Sequence, residues 1–499
     1  MSTIRRQSII SSGIVYFGFA LGAFNTLLFT KWFTPAQYGL TVMFVSLACI
    51  MFPLANLGML SYIYKFYPYY HDNLPPKKND MMTWALLVSF AGFLLVMAGG
   101  FIFKDLVVKK YSTTSPEFVT YYYWIFPFGF GFTFYSLLEA FAWQLKQSVL
   151  TSYFREIQFR LFTLALIVLS YIGVIKNFDA FMKIYACTYL LLALTLLIYL
   201  MMTRQLHLPF YRSRVTKKFF KKIIAQISLV WSGQVLYNLS TYFGAIVIGA
   251  VMSEGMRFVG IYTLALNVGS LIQAIQRSVT AASVGPLARA WKDKDYGRIN
   301  RIYQRSSINQ LIFSAGMFVL LWLNFTDGVL TLHMKPDYLL ARPIFFYIGL
   351  MRIVDMGTGV NSQIIGTSTF WRFDFLTGVT LAGLTLPANY LLTKTLGPVG
   401  PAIADLITFC IYNFIRFLFL YRKFGMQPFT WKTVYTLVLA FGCYWVCYYL
   451  FSAHHGFGWL VARSTVFIGL YGAGVLVLRL SDDVLPVWRT IRKRLGLAK

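Results

Sequence analysis

Residues 81–103 read MMTWALLVSFAGFLLVMAGGFIF, a run without one charged side chain. A helix needs about 20 apolar residues to cross the hydrocarbon core of a bilayer. Inside lipid the backbone must satisfy its own hydrogen bonds, so such a run can only be a helix packed beside others. Runs of the same character recur outward from it. They fall at 9–31, 39–62, 120–143, 157–175 and 180–203, then at 224–250, 259–285, 306–326, 342–366, 374–393, 399–421, 433–451 and 458–479. The 499 residues are 58% hydrophobic, 18% aromatic and only 12% charged, and nearly all the charge lies between the runs. The expected fold is all-α: a polytopic integral membrane protein with fourteen transmembrane helices.

Lys and Arg outnumber Asp and Glu by 45 to 17, a net charge of +28. This excess does not point to nucleic acid, because it is spread over many inter-span segments and no soluble domain gathers it into a patch. Alternate segments hold roughly threefold more Lys and Arg than the others, a bias that marks the cytoplasmic side. Both termini are therefore expected in the cytoplasm, with membrane lipids as partners of the inner loops. Arg5 and Arg6 precede a span-length run with no small-residue cleavage site, so that run reads as a retained first helix.

The longest inner loop between spans, 204–222 (RQLHLPFYRSRVTKKFFKK), carries seven basic residues and no acid. Its KKFFKK alternation suggests an amphipathic segment on the inner leaflet, and a plain topology signal explains it equally well. The loop suggests an N-terminal six-helix lobe (1–203), a basic cytoplasmic linker (204–222), a C-terminal six-helix lobe (223–421), and two additional helices with a basic cytoplasmic tail (422–499). A faint repeat crosses the divide. Ser12-Gly13 is echoed by Ser232-Gly233, and Tyr38-Gly39-Leu40 by Val259-Gly260-Ile261, at offsets of 220 and 221. Paired bundles of this kind are a transporter plan, with the site between the halves.

Enzyme chemistry finds no foothold. All five cysteines fall in expected spans without a CxxC, and there is no HExxH, G-x-S-x-G or Walker A loop. The longest expected outer loop, 327–341, holds only Asp327 and Asp337, too little for a membrane glycosyltransferase or polymerase. No cofactor is expected.

The polar residues inside spans carry the information, since a charge at mid-membrane costs about 2.5–3.5 kcal/mol on insertion scales. Asn267, Ser270, Gln273, Arg277 and Thr280 recur at steps of three or four, which places them on one helical face. Arg352, Asp355, Thr358, Asn361 and Ser362 do the same in the tenth span. The two stripes suggest a hydrated wall, with Arg277, Arg352, Asn267, Gln273 and Asn361 as substrate-binding candidates. Asp355, Glu139 and Asp405 are candidates for a coupling ion. Bland readings stand beside these: Arg352 and Asp355 neutralise each other, and Glu139 and Asp405 pair with bases on other helices. Arg416, near the cytoplasmic end of an expected span, reaches toward the headgroups. Asp374 sits at a helix N-terminus, and the glycines of the first and tenth spans serve tight packing.

The run from Arg5-Arg6 to Phe33-Thr34-Pro35-Ala36-Gln37-Tyr38-Gly39-Leu40 resembles the opening of the Wzx-type polysaccharide and O-antigen flippases, of the multidrug/oligosaccharidyl-lipid/polysaccharide exporter superfamily. Leu57-Gly58-Met59 followed by Tyr67-Pro68 is similar to that family's continuation, as is Pro286-Leu287-Ala288-Arg289 with Lys292-Asp293-Lys294-Asp295. The resemblance implies two six-helix lobes around a central cavity. It implies as cargo an undecaprenyl-pyrophosphate-linked oligosaccharide for O-antigen and lipopolysaccharide, and a polysaccharide polymerase and other assembly proteins as partners. Peptidoglycan-precursor flippases of the superfamily use N-lobe cavity arginines. This chain departs from them, having no Arg or Lys between Arg6 and Lys31 or between Lys31 and Lys65. Drug exporters generally place a carboxylate in an early N-lobe helix, and spans one to three hold none.

Overall fold

A computed structural model describes residues 3–483. The basic tail expected at the C-terminus lies beyond 483, outside the described residues. The chain divides into two compact units at Gly260/Ile261.

Within the first unit run α1 (Thr3–Trp32), α2 (Pro35–Asn56), α3 (Met59–Asn73), α4 (Met81–Ile102), α5 (Lys104–Tyr111), α6 (Pro116–Thr120) and α7 (Ile125–Gln144). They are followed by α8 (Ser148–Ser152), a π-helical turn (Tyr153–Gln158), α9 (Phe159–Tyr171), α10 (Phe178–Ala186), α11 (Thr188–Met202) and α12 (Arg214–Val251). Helix α13 (Gly255–Ile272) begins in the first unit and ends in the second. The second unit continues with α14 (Gln276–Lys292), α15 (Tyr296–Thr331), α16 (Ala341–Gly357), α17 (Asn361–Gly366) and α18 (Trp371–Leu396). It closes with α19 (Gly400–Phe424), α20 (Trp431–Phe451) and α21 (Phe457–Val477). No strand occurs among the described residues.

Among those residues, eleven helical stretches are long and apolar enough to cross a membrane, against fourteen expected. One of them, Arg372–Phe424, contains both α18 and α19. Two expected spans have no counterpart among the eleven, and the stretch around each carries several charges: Arg155, Glu156 and Arg160 in one, Arg342, Arg352 and Asp355 in the other. The range 157–175 enters α9 through the π turn, and 342–366 divides into α16 and α17.

The interruptions have local causes. Between α2 and α3, Leu57 and Gly58 take positive φ (47° and 79°), and the Asn56 side chain accepts from the Gly58 N–H at 2.8 Å. Between α16 and α17, Gly359 lies at φ 66°, and the freed carbonyl of Gly357 accepts from the Ser307 hydroxyl. Only glycine is at ease in that left-handed region. Between α13 and α14 no glycine is needed. The Gln273 and Ala274 N–H groups bond three residues back, to Ser270 and Leu271 (3.1 and 3.2 Å), while the Ser270 hydroxyl donates to the Asn267 carbonyl at 2.6 Å. Side-chain bonds of this kind compete with the helical ladder.

The repeat noted in the sequence has a physical counterpart inside the first unit. A Cβ on Gly39 would run into the Met256 carbonyl, and one on Gly260 into the Pro35 carbonyl. Each glycine meets the residue four before its counterpart, so the contact reproduces itself when the two helices are exchanged. Glycine is required at both positions because the backbones touch.

In the second unit α20 and α21 pack on α15. Tyr471 donates to the Ile312 carbonyl at 2.8 Å, and a Cβ on Gly316 would stand 2.6 Å from its ring. Helix α15 runs on to Thr331, so Asp327, expected in an outer loop, is a buried helical residue (2% exposed).

Candidate functional site

The breaks of α13/α14 and α16/α17 bring polar side chains together in the second unit. The Gln276 amide, in the first turn of α14, donates to one carboxylate oxygen of Asp355 at 2.8 Å, and the Asn413 amide of α19 donates to the other at 3.3 Å. The Asn413 carbonyl oxygen in turn accepts from the Thr358 hydroxyl (3.0 Å) and from the Asn361 amide (2.9 Å). Asn413 and Asn361 are buried and Asp355 is half-buried. A carboxylate is thus held by neutral amides from two other helices. Such dipoles orient it without cancelling its charge.

Asp405 lies on the same helix as Asn413, two turns away, and accepts from the Asn389 amide at 3.2 Å. Arg352 is the basic residue whose field reaches Asp405 and Tyr262. Gln273 stands at the α13/α14 break and donates to the Gln276 side chain at 3.1 Å. Asn267 and Arg277 are exposed on either side of that break. Arg277 makes no hydrogen bond or ion pair among the described residues. The stripe on the eighth span is therefore divided between two helices and does not form one continuous face. Gln276, Thr358 and Asn413 complete the cluster. Of these, Gln276 and Asn413 carried no sequence signal, because an amide in a span is informative only once its neighbour is known.

Glu139 belongs to a different cluster, in the first unit. It is 5% exposed, and Arg155 of the π turn donates to it at 3.3 Å, which is the inter-helix pairing set beside the ion-binding reading. In the next turn Arg160 pairs with Glu156 at 2.5 Å, four residues away. Arg160 lies within the expected span 157–175 but was not singled out in the sequence. It lies along α1, where a Cβ on Gly18 or Gly22 would stand 2.7 or 2.8 Å from its guanidinium. The Asn25 amide donates to its carbonyl at 2.8 Å. Two of the first-helix glycines therefore make room for an arginine.

Arg416 corrects an expectation. It is 3% exposed and does not reach for headgroups. Its guanidinium pairs with Asp374, donates to the Thr377 hydroxyl at 3.1 Å and lies 3.9 Å from the Tyr412 ring centroid. Its acid comes from the neighbouring helix, 42 positions away, beyond the reach of a local reading. The glycines of the tenth span also differ among themselves: Gly349 makes room for the Phe318 ring, Gly359 supplies the left-handed turn, and Gly366 meets nothing closer than 3.7 Å.

No family model matches this chain, and no curated protein matches it in sequence. Its fold is that of multi-pass membrane transporters. A structure of the lipid II flippase MurJ in an inward closed conformation matches with TM-score 0.72 at 15% identity, over 96% of this chain and 100% of that one. An inward-facing multidrug resistance MATE family transporter of the MOP superfamily matches with TM-score 0.61 at 14% identity, over 84% of this chain and 98% of that one.

Proposed function

We propose that this protein is a flippase that moves undecaprenyl-pyrophosphate-linked oligosaccharide units from the inner to the outer leaflet of a bacterial cytoplasmic membrane, by alternating access, for O-antigen or related surface polysaccharide. The observation that carries this reading is the end-to-end fold match with a flippase of a lipid-linked cargo. The sequence motifs that resemble Wzx-type translocases support the choice of cargo. In this reading two six-helix lobes flank a central cavity, and both termini are cytoplasmic. Arg277, with no partner among the described residues, neutralises cargo phosphate as it crosses. Arg352, Asn267, Gln273 and Asn361 supply polar contacts to the glycan. Asp355, held by amides, is the favoured coupling-ion residue. Asp405 is next, and Glu139 last, because Arg155 already neutralises it.

The match with the MATE transporter favours a second reading, a cation-coupled multidrug exporter. One experiment separates the two. Purified protein is reconstituted in vesicles loaded with a lipid-linked oligosaccharide on one leaflet, and glycan exposure on the other is read with a lectin. Lectin binding that depends on the protein supports the flippase. Its absence, together with ion-driven accumulation of a cationic dye, establishes the exporter.

A further inference from the structure

Helix α12 is fastened to the rest of the first unit at two places and stands off between them. At its start, the fully buried carboxylate of Asp80 accepts from the Ser213 N–H (2.9 Å), the Thr216 hydroxyl (2.7 Å) and the Trp84 indole (3.1 Å). The hydroxyls of Tyr62, Tyr70 and Thr216 continue that chain at 2.7 Å each. Farther along, the Trp231 indole donates to the Pro53 carbonyl at 2.8 Å, and a Cβ on Gly58 would stand 2.5 Å from Ile227. Helix α12 thus lies hard against the α2/α3 break.

Between the fasteners a cavity of about 380 Å³ remains, walled by Val88, Phe220, Ile223 and Ile227. That volume is within the range of about 300–1,000 Å³ typical of ligand sites. One lining residue is charged: Arg212, exposed, with its guanidinium over the rings of Trp84 (5.4 Å) and Phe220 (5.9 Å). Arg212 has no acidic partner among the described residues.

We infer that this cavity binds one anionic phospholipid of the surrounding leaflet, with an acyl chain between α12 and the α3–α4 pair and the phosphate at Arg212. Carbon walls with a single cation among them match a chain joined to an anionic head. The surface around it points to the source. Arg214, Lys217, Lys218, Lys221 and Lys222 are exposed, as are the apolar Phe210 and Ile224. That is more positive charge than one headgroup needs, and it suits an anionic leaflet. The site concerns the resident lipid and does not depend on which cargo is carried.

Native mass spectrometry of the purified full chain with added phosphatidylglycerol or phosphatidylcholine of matched chains tests this. One phosphatidylglycerol should be retained in preference to phosphatidylcholine. Arg212→Gln should weaken that retention about tenfold, the loss of one charge-assisted contact. Val88→Phe, which fills the cavity and leaves the Asp80 anchor untouched, should abolish it while the melting temperature without lipid stays unchanged. Equal retention of the two lipids would overturn the proposal, as would undiminished binding by a folded Val88→Phe variant. Displacement of phosphatidylglycerol by undecaprenyl phosphate at the same stoichiometry would also overturn it, by assigning the cavity to the cargo lipid.

Discussion

Two arginines of the second unit, Arg463 and Arg277, stand at opposite extremes. Arg463 is 6% exposed. Its guanidinium donates to the Asp327 carboxylate at 2.8 Å and to the carbonyls of Leu323, His454 and Phe451 at 2.7, 2.9 and 3.3 Å. The His455 ring meets the other oxygen of Asp327 at 3.0 Å. Arg277 is exposed and makes none of these bonds among the described residues. Arg463 closes the joint between α15 and the α20–α21 pair, and its charge is fully used inside the protein. Arg463, like Arg416, is committed to structure, while the charge of Arg277 is unspent. A structural arginine should cost stability when removed, and a cargo-facing one should cost transport.

The largest effect is expected at the joint. Arg463→Ala leaves Asp327 buried without its cation and should destabilise the protein by about 3–5 kcal/mol, seen as a fall in melting temperature in detergent. Arg463→Met with Asp327→Leu removes both charges and should recover much of the loss. A double variant as unstable as the sum of the singles would show that the two side chains do not depend on each other.

Next comes the packing beneath that joint. Gly316→Val must displace the Tyr471 ring from α15 and should cost about 1–3 kcal/mol on the same measurement. An unchanged melting temperature would mean that α21 does not rest on α15.

The amide cluster should lie in between. Asn413→Leu strips a donor from Asp355 and an acceptor from Thr358 and Asn361, at about 1–3 kcal/mol. Asp355→Asn keeps the shape and should change stability by less than that, yet abolish ion-coupled transport. If Asp355→Asn transports normally, the coupling residue lies elsewhere. A double-variant cycle of Arg352→Ala and Asp355→Ala gauges their coupling: strictly additive losses would show that the two side chains do not depend on each other.

The smallest effect on stability is expected at Arg277. Arg277→Ala should stay within about 0.5 kcal/mol of the parent, as an exposed position does, while glycan exposure in vesicles falls several-fold. Arg277→Lys should retain more transport than Arg277→Ala. An alanine variant with full transport would remove Arg277 from the site and erase the contrast with Arg463.

The sequence by itself determined the class, an all-helical multi-pass membrane protein. Long uncharged runs such as 81–103 have one stable outcome in lipid, and no tertiary information is needed to see it. It also singled out Glu139, Arg352, Asp355 and Asp405 as charges within expected spans, and suggested that Gly39 corresponds to Gly260. Only the tertiary structure decided what each charge meets. Asp374 and Arg416 are 42 positions apart, Asp327 and Arg463 136, and neither pair leaves a periodic trace along the chain. The breaks after Ile272 and Gly357 were equally hidden. Serine and glycine occur in unbroken membrane helices too, and whether the ladder yields depends on what waits to take up the freed groups, here Ser307 for the Gly357 carbonyl. Hydropathy is a sum over each residue's own transfer free energy, so local sequence suffices for it. A buried charge is decided by its partner, and the partner is chosen by the packing of helices distant in sequence.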